Sequence, residues 1–112
     1  MIECENLKFS CNSNALKAKI YGEIDHHNAR HLREKIDTML FAKKPKKLVL
    51  DFSSVTFMDS SGLGLIMGRY TTASAIGASI VIYRPSPRVK TILEMSGIER
   101  LIQIKGDDDY AL

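Results

Sequence analysis

The densest group of reactive side chains is Met58-Asp59-Ser60-Ser61-Gly62, where two hydroxyls follow a carboxylate and precede a glycine. A nucleophilic serine at a strand-to-helix elbow requires G-x-S-x-G, and the leading glycine is missing here. The Walker pattern and the G-x-G-x-x-G fingerprint are missing too, since Gly62-Leu63-Gly64 stops short and the next glycine is Gly68. His26 and His27 are adjacent, so on a helix they point about 100° apart. His31 lies one turn after His27, but no cysteine or carboxylate set completes a tetrahedral metal site around them. Cys4 and Cys11 form no C-x-x-C, and on a single strand their odd spacing would put them on opposite faces. They read as small buried apolar residues in a reducing compartment. No catalytic constellation emerges, so the expectation is a non-enzyme without metal or cofactor.

Ser60 stands out by position. A hydroxyl at a strand-to-helix junction lies beside unpaired N–H groups and the positive end of the helix dipole. An added phosphate dianion is stabilised there, so phosphorylation need not unfold anything. By residue type alone, the commoner use of Asp59, Ser60 and Ser61 is to compete for the helix N-cap. Gly62, Gly64 and Gly68 each cost the helix roughly 1 kcal/mol relative to alanine. Gly64 and Gly68 share a face, which points to close approach of the sheet or of a docked partner.

The elements that must position this segment follow from periodicity. Leu7, Phe9 and Cys11 alternate, Asn12-Ser13-Asn14 forms a turn, and Leu16, Ala18 and Ile20 resume the alternation until Gly22 ends the strand. From Asp25, placed as an N-cap, Ala29, Leu32, Ile36, Met39 and Leu40 fall on one helical face, with Arg30, Arg33, Glu34 and Asp37 outside it. Leu48-Val49-Leu50 within Lys47–Phe52 reads as a strand buried on both faces, and a second apolar cluster, Val55–Met58, leads into Asp59. Leu63, Ile66, Met67 and Tyr70 give a helical stripe beginning near Ser60. Ala78–Tyr83 is another buried-type strand. Ser86-Pro87 starts a helix carrying Val89, Ile92, Leu93 and Ser96, and Gly97 stops it. Leu101–Ile104 makes a last strand before Asp107-Asp108-Asp109. The order β-β-α-β-α-β-α-β implies an α/β fold with right-handed crossovers and a largely parallel sheet. At 112 residues, 45% hydrophobic and 26% charged, the chain reads as one globular domain spanning residues 1–112.

Much of the net charge of +3 sits in Lys43-Lys44-Pro45-Lys46-Lys47. Such a run can serve nucleic acid or an anionic membrane, but Pro45 and its place between two elements read it as a solvated turn. Glu3, Glu5 and Lys8 interrupt any signal-like apolar run, and no stretch nears the roughly 18 apolar residues that span a bilayer. The expectation is a cytoplasmic protein with no direct nucleic-acid or membrane partner.

The segment from Leu50 through Asp59-Ser60-Ser61-Gly62-Leu63-Gly64 to Gly68-Arg69-Tyr70 closely resembles the anti-sigma factor antagonists, which are single STAS domains. Gly22-Glu23-Ile24-Asp25-His26-His27 resembles a second segment of that family, and Ser86-Pro87 with Met95-Ser96-Gly97 a third. The likeness runs from about residue 16 to residue 104 and is nearest to the sporulation members. The resemblance implies that the unphosphorylated chain binds an anti-sigma factor that is also a serine kinase, freeing a sigma factor, with sigma F expected. It further implies that the kinase phosphorylates Ser60 and that a PP2C-type phosphatase restores the active form. By the same resemblance Asp25, Asp59, Ser61, Gly62, Leu63 and Arg69 lie on or near the docking face. Relatives often continue with a longer C-terminal helix than this chain carries. Two other readings compete: a STAS scaffold subunit of a stress-signalling assembly, and a nucleotide-binding domain using the glycines near Gly62 together with Lys43–Lys47.

Overall fold

The computed structural model describes residues 6–106. Period-two alternation forms the opening pair, β1 (Leu7–Cys11) and β2 (Ala15–Ile24), which run antiparallel with Leu7 opposite Ile20. Asn12 closes their turn by accepting the N–H groups of Asn14 and Ala15, both at 2.8 Å. There follow α1 (Ala29–Lys43), β3 (Lys47–Met58), α2 (Ser60–Ala75), β4 (Ser79–Tyr83), α3 (Pro87–Ser96), a short 3₁₀ turn (Ile98–Arg100) and β5 (Gln103–Lys105). The sheet order is β1-β2-β3-β4-β5, and every pair after the first is parallel. The expected order and the largely parallel α/β sheet are therefore what the chain forms.

A parallel sheet that grows in one direction through right-handed crossovers places all its helices on one face. Leu48, Leu50, Phe52, Ile80 and Ile82 accordingly share a single buried cluster with Leu32, Ile36 and Leu40 of α1, Leu65 and Ile66 of α2, and Val89 and Leu93 of α3. The alternate residues Val49, Val81 and Tyr83 form a separate small cluster on the opposite face. Helix α3 begins and ends as expected: the Ser86 hydroxyl accepts the Val89 N–H at 3.2 Å, Pro87 takes the first helical position, and Gly97 is left-handed at φ 79°.

Several expectations need correction. Gly22 does not end β2, which runs on to Ile24. At φ +79° Gly22 bends the strand, and the pairing with β3 shifts register on either side of it. The two apolar clusters before Asp59 are one 12-residue strand. Ser53-Ser54 does not break it, because the Asp51 carboxylate accepts the Ser53 N–H at 2.9 Å. The last strand begins at Gln103, two residues late, because the 3₁₀ turn holds Leu101 exposed at its end. Cys11 is exposed at the end of β1 and not buried; Cys4 and the acidic Asp107-Asp108-Asp109 lie outside the described residues.

The basic run is a turn. Lys44 is left-handed at φ 45° with its N–H on Leu40 O at 2.8 Å, and Lys46 and Lys47 donate their N–H groups to Asn14 O. The run ends on Lys47, the first residue of β3, whereas Ser60 follows the last, so the length of the strand separates them. The lysines and the glycines near Gly62 therefore cannot cradle one phosphate group, which removes the nucleotide site built from both.

Candidate functional site

Parallel strands deliver their carboxyl ends to one edge of a sheet, and that edge is where α/β folds place their sites. Here Ile24 ends β2 directly opposite Met58 at the end of β3, and the Asp59 N–H donates to Ile24 O at 3.2 Å. This contact brings the Asp25 turn and the Asp59 turn side by side. Asp25 is not the cap of α1, as its place in the sequence suggested. Its carboxylate accepts the N–H groups of His27 (2.9 Å) and Asn28 (3.2 Å) and so closes an extra turn ahead of the helix. Asn28 then occupies the cap position, with its side chain tying Asp25 N–H to Glu23 O. Within the extra turn the His26 and His27 rings stack at 4.0 Å. Among the described residues no cluster of three histidine, cysteine or acidic side chains is placed to hold a metal ion.

At α2 the competition for the cap is decided. Asp59 takes it, its carboxylate accepting the Ser61 N–H at 2.7 Å. Ser60 becomes the first helical residue, exposed, with no side-chain hydrogen bond among the described residues. Ser61, one position on, is half-buried. The hydroxyl that the sequence singled out is thus left uncommitted at the positive end of the helix dipole, open to solvent.

The buried face of α2 is Gly62, Leu65, Ile66, Arg69 and Ala73, not the expected stripe of Leu63, Ile66, Met67 and Tyr70. Leu63, Met67 and Tyr70 are half-buried at its margin. The face is rotated because its two non-apolar members are both placed by specific contacts. A Cβ on Gly62 would sit 2.8 Å from Met58 Cβ and 2.9 Å from its sulfur, so only glycine lets α2 start this close to β3. Gly62→Ala is expected to lower stability by roughly 1–3 kcal/mol, the usual range for overpacking. Urea denaturation would measure it, and an unchanged midpoint would contradict the packing argument.

Arg69 is the second member. Its side chain is only 5% exposed, and Nε lies 2.8 Å from Asp37 Oδ1 on α1. Nη1 reaches Leu65 O at 3.4 Å. Burial pulls the guanidinium pKa below its ordinary value; Asp37 pulls it back up, and the neighbouring Arg33 pushes it down again. Arg69 thus joins the two helices from inside, and it also lines the groove between them. That groove, of about 350 Å³, runs over Arg30, Arg33, Ser61, Gly64, Gly68 and Arg69. A Cβ on Gly64 or Gly68 would meet no atom within 4 Å, so it is not the sheet that these glycines approach.

Asp25, Asp59, Ser60 and Ser61 are therefore grouped at one edge, with Leu63 at the margin, Gly62 beneath and Arg69 in the groove wall. Sequence reasoning missed Asp37. The available signal was an arginine spaced with Gly62, Ile66 and Ala73 on an apolar face, which demands a carboxylate on the facing helix.

Residues 6–111 match the STAS domain family. The chain belongs to the STAS family. Among its relatives, the STAS domain is 33% identical over 97 residues to the anti-sigma F factor antagonist of Paenibacillus polymyxa, covering 87% of this chain and 83% of that one. It is 29% identical over 104 residues to the anti-sigma-B factor antagonist of Bacillus subtilis, covering 93% and 94% of the two chains. The fold is similar to that of the anti-sigma factor antagonist SpoIIAA in its unphosphorylated form, with a TM-score of 0.78 at 27% identity over 92% of this chain and 90% of that one. SpoIIAA in the phosphorylated form gives 0.70 at 26% identity, over 92% and 94% of the two chains. Among the described residues of the STAS domain, no helix is long and apolar enough to cross a membrane.

Proposed function

We propose that this chain is an anti-sigma factor antagonist switched by phosphorylation at Ser60. The unphosphorylated form binds an anti-sigma factor with serine kinase activity and so frees the sigma factor it holds. The kinase moves the γ-phosphoryl group of ATP onto Ser60 Oγ, leaving ADP, and the modified chain is released. A PP2C-type phosphatase hydrolyses the phosphoester and resets the cycle. The antagonist role is supported by the relatives, several of which carry that name. Sigma F is favoured as the factor freed because the relative from Paenibacillus polymyxa, 33% identical, is named for it.

The observation that carries the choice of Ser60 is the division of labour at the start of α2. Asp59 does the capping, Ser61 is half-buried, and the Ser60 hydroxyl is exposed and unengaged. A kinase can reach it without melting the helix. Asp25, Asp59, Ser61 and Leu63 form the docking rim around it, with Gly62 and Arg69 shaping that rim from below and beside. Incubation with an anti-sigma serine kinase and ATP, followed by mass spectrometry, tests the assignment. A single phosphate on Ser60, absent from Ser60→Ala, is expected; normal modification of Ser60→Ala would refute it.

A further inference from the structure

We infer that the groove between α1 and α2 is a second docking surface, taking an acidic segment of the same kinase; this rests on the function proposed above. Three guanidinium groups line the groove. Arg69 is held by Asp37, and Arg33 lines the same groove, where its charge adds to the effect of burial in lowering the Arg69 pKa. Among the described residues Arg30 is held by Glu34 alone, one turn on and 3.4 Å away with both side chains largely exposed, a pairing of little strength in water. Among the described residues no carboxylate pairs with Arg33. Three guanidinium groups against the two carboxylates of Glu34 and Asp37 leave the groove with an excess of positive charge, which is complementary to an anionic segment.

The floor of the groove has the same implication. Gly64 and Gly68 weaken the helix, and no atom of the described chain needs the space that they leave. That space admits a partner's backbone to the helix surface. Ser61 closes the end of the groove beside Ser60, so a phosphate there would place negative charge at the mouth of an acid-binding channel. Phosphorylation then expels the partner partly by charge, without reshaping the domain.

The test measures kinase binding by calorimetry at low and high salt, for the wild type, Arg30→Glu/Arg33→Glu, Gly64→Ala/Gly68→Ala and Ser60→Asp. The arginine reversal should weaken binding about tenfold or more, equivalent to at least 1.4 kcal/mol, and flatten its dependence on salt. The double alanine variant should melt about 8 °C higher, because both sites are open and helical, yet also bind more weakly. The stability gain separates lost docking from lost folding. Groove variants that bind like the wild type, while Ser60→Asp does not bind, would overturn the groove and leave the Ser60 switch standing. A wild type that binds no anti-sigma kinase would overturn both.

Discussion

Ser60→Asp is expected to weaken kinase binding roughly 30-fold or more while leaving the fold as stable as before, or slightly more so. An unpaired charge buried in an interface costs about 2–5 kcal/mol, and each 1.4 kcal/mol is about tenfold in affinity. Aspartate carries a single charge and belongs at the lower end of that range. A phosphate, with about −1.5 to −2 charges, belongs at the upper end, near several-thousand-fold. Stability should move the other way. Ser60 is the first residue of α2, where a negative side chain gains roughly 0.3–1 kcal/mol from the helix dipole. Calorimetric titration and thermal melting on the same samples would show both trends. Intact binding by Ser60→Asp, or collapse of its fold, would each contradict a switch that works at the surface.

Asp37→Ala is expected to cost roughly 2–4 kcal/mol of folding stability, somewhat below the loss typical of a fully buried ion pair. Arg69 is 5% exposed and Asp37 25% exposed, so removing the acid strands a nearly buried cation while water reaches only one side. Arg69 stays charged at neutral pH despite its lowered pKa, because arginine does not deprotonate in proteins. The double variant Asp37→Leu/Arg69→Met should recover most of the loss, since apolar replacements of similar volume remove the stranded charge. Urea titrations of the three chains measure this; an Asp37→Ala midpoint equal to wild type would mean that the pair does not hold the helices together.

The two cases differ in what sequence could reveal. Strand alternation, the Ser86-Pro87 start and the Gly97 stop depend on local geometry, and each appears where the residues predict it. Gly22 was misread because a positive-φ glycine ends a strand in some settings and bends one in others. Only the partner register with β3 tells them apart. The buried face of α2 was misread for a related reason. Gly62 and Arg69 look like interruptions of an apolar stripe, yet both belong to it through contacts with Met58 and Asp37 far along the chain. At the site, residue type could not say which of Asp59, Ser60 and Ser61 would cap the helix. The 2.7 Å hydrogen bond to Ser61 N–H decides that, and Ser60 is free because Asp59 is not.

The length of β3 has an electrical consequence. Its 12 residues hold the lysine turn and Ser60 roughly 30 Å apart, about four Debye lengths at physiological ionic strength. Phosphorylation would lower the net charge from +3 to about +1 and leave the molecule strongly dipolar along that strand. The poles would nevertheless be insulated from each other by salt. Lys43–Lys47 would neither attract the phosphate nor alter its titration, so an affinity tag or surface tether attached at that turn should leave the switch as it is.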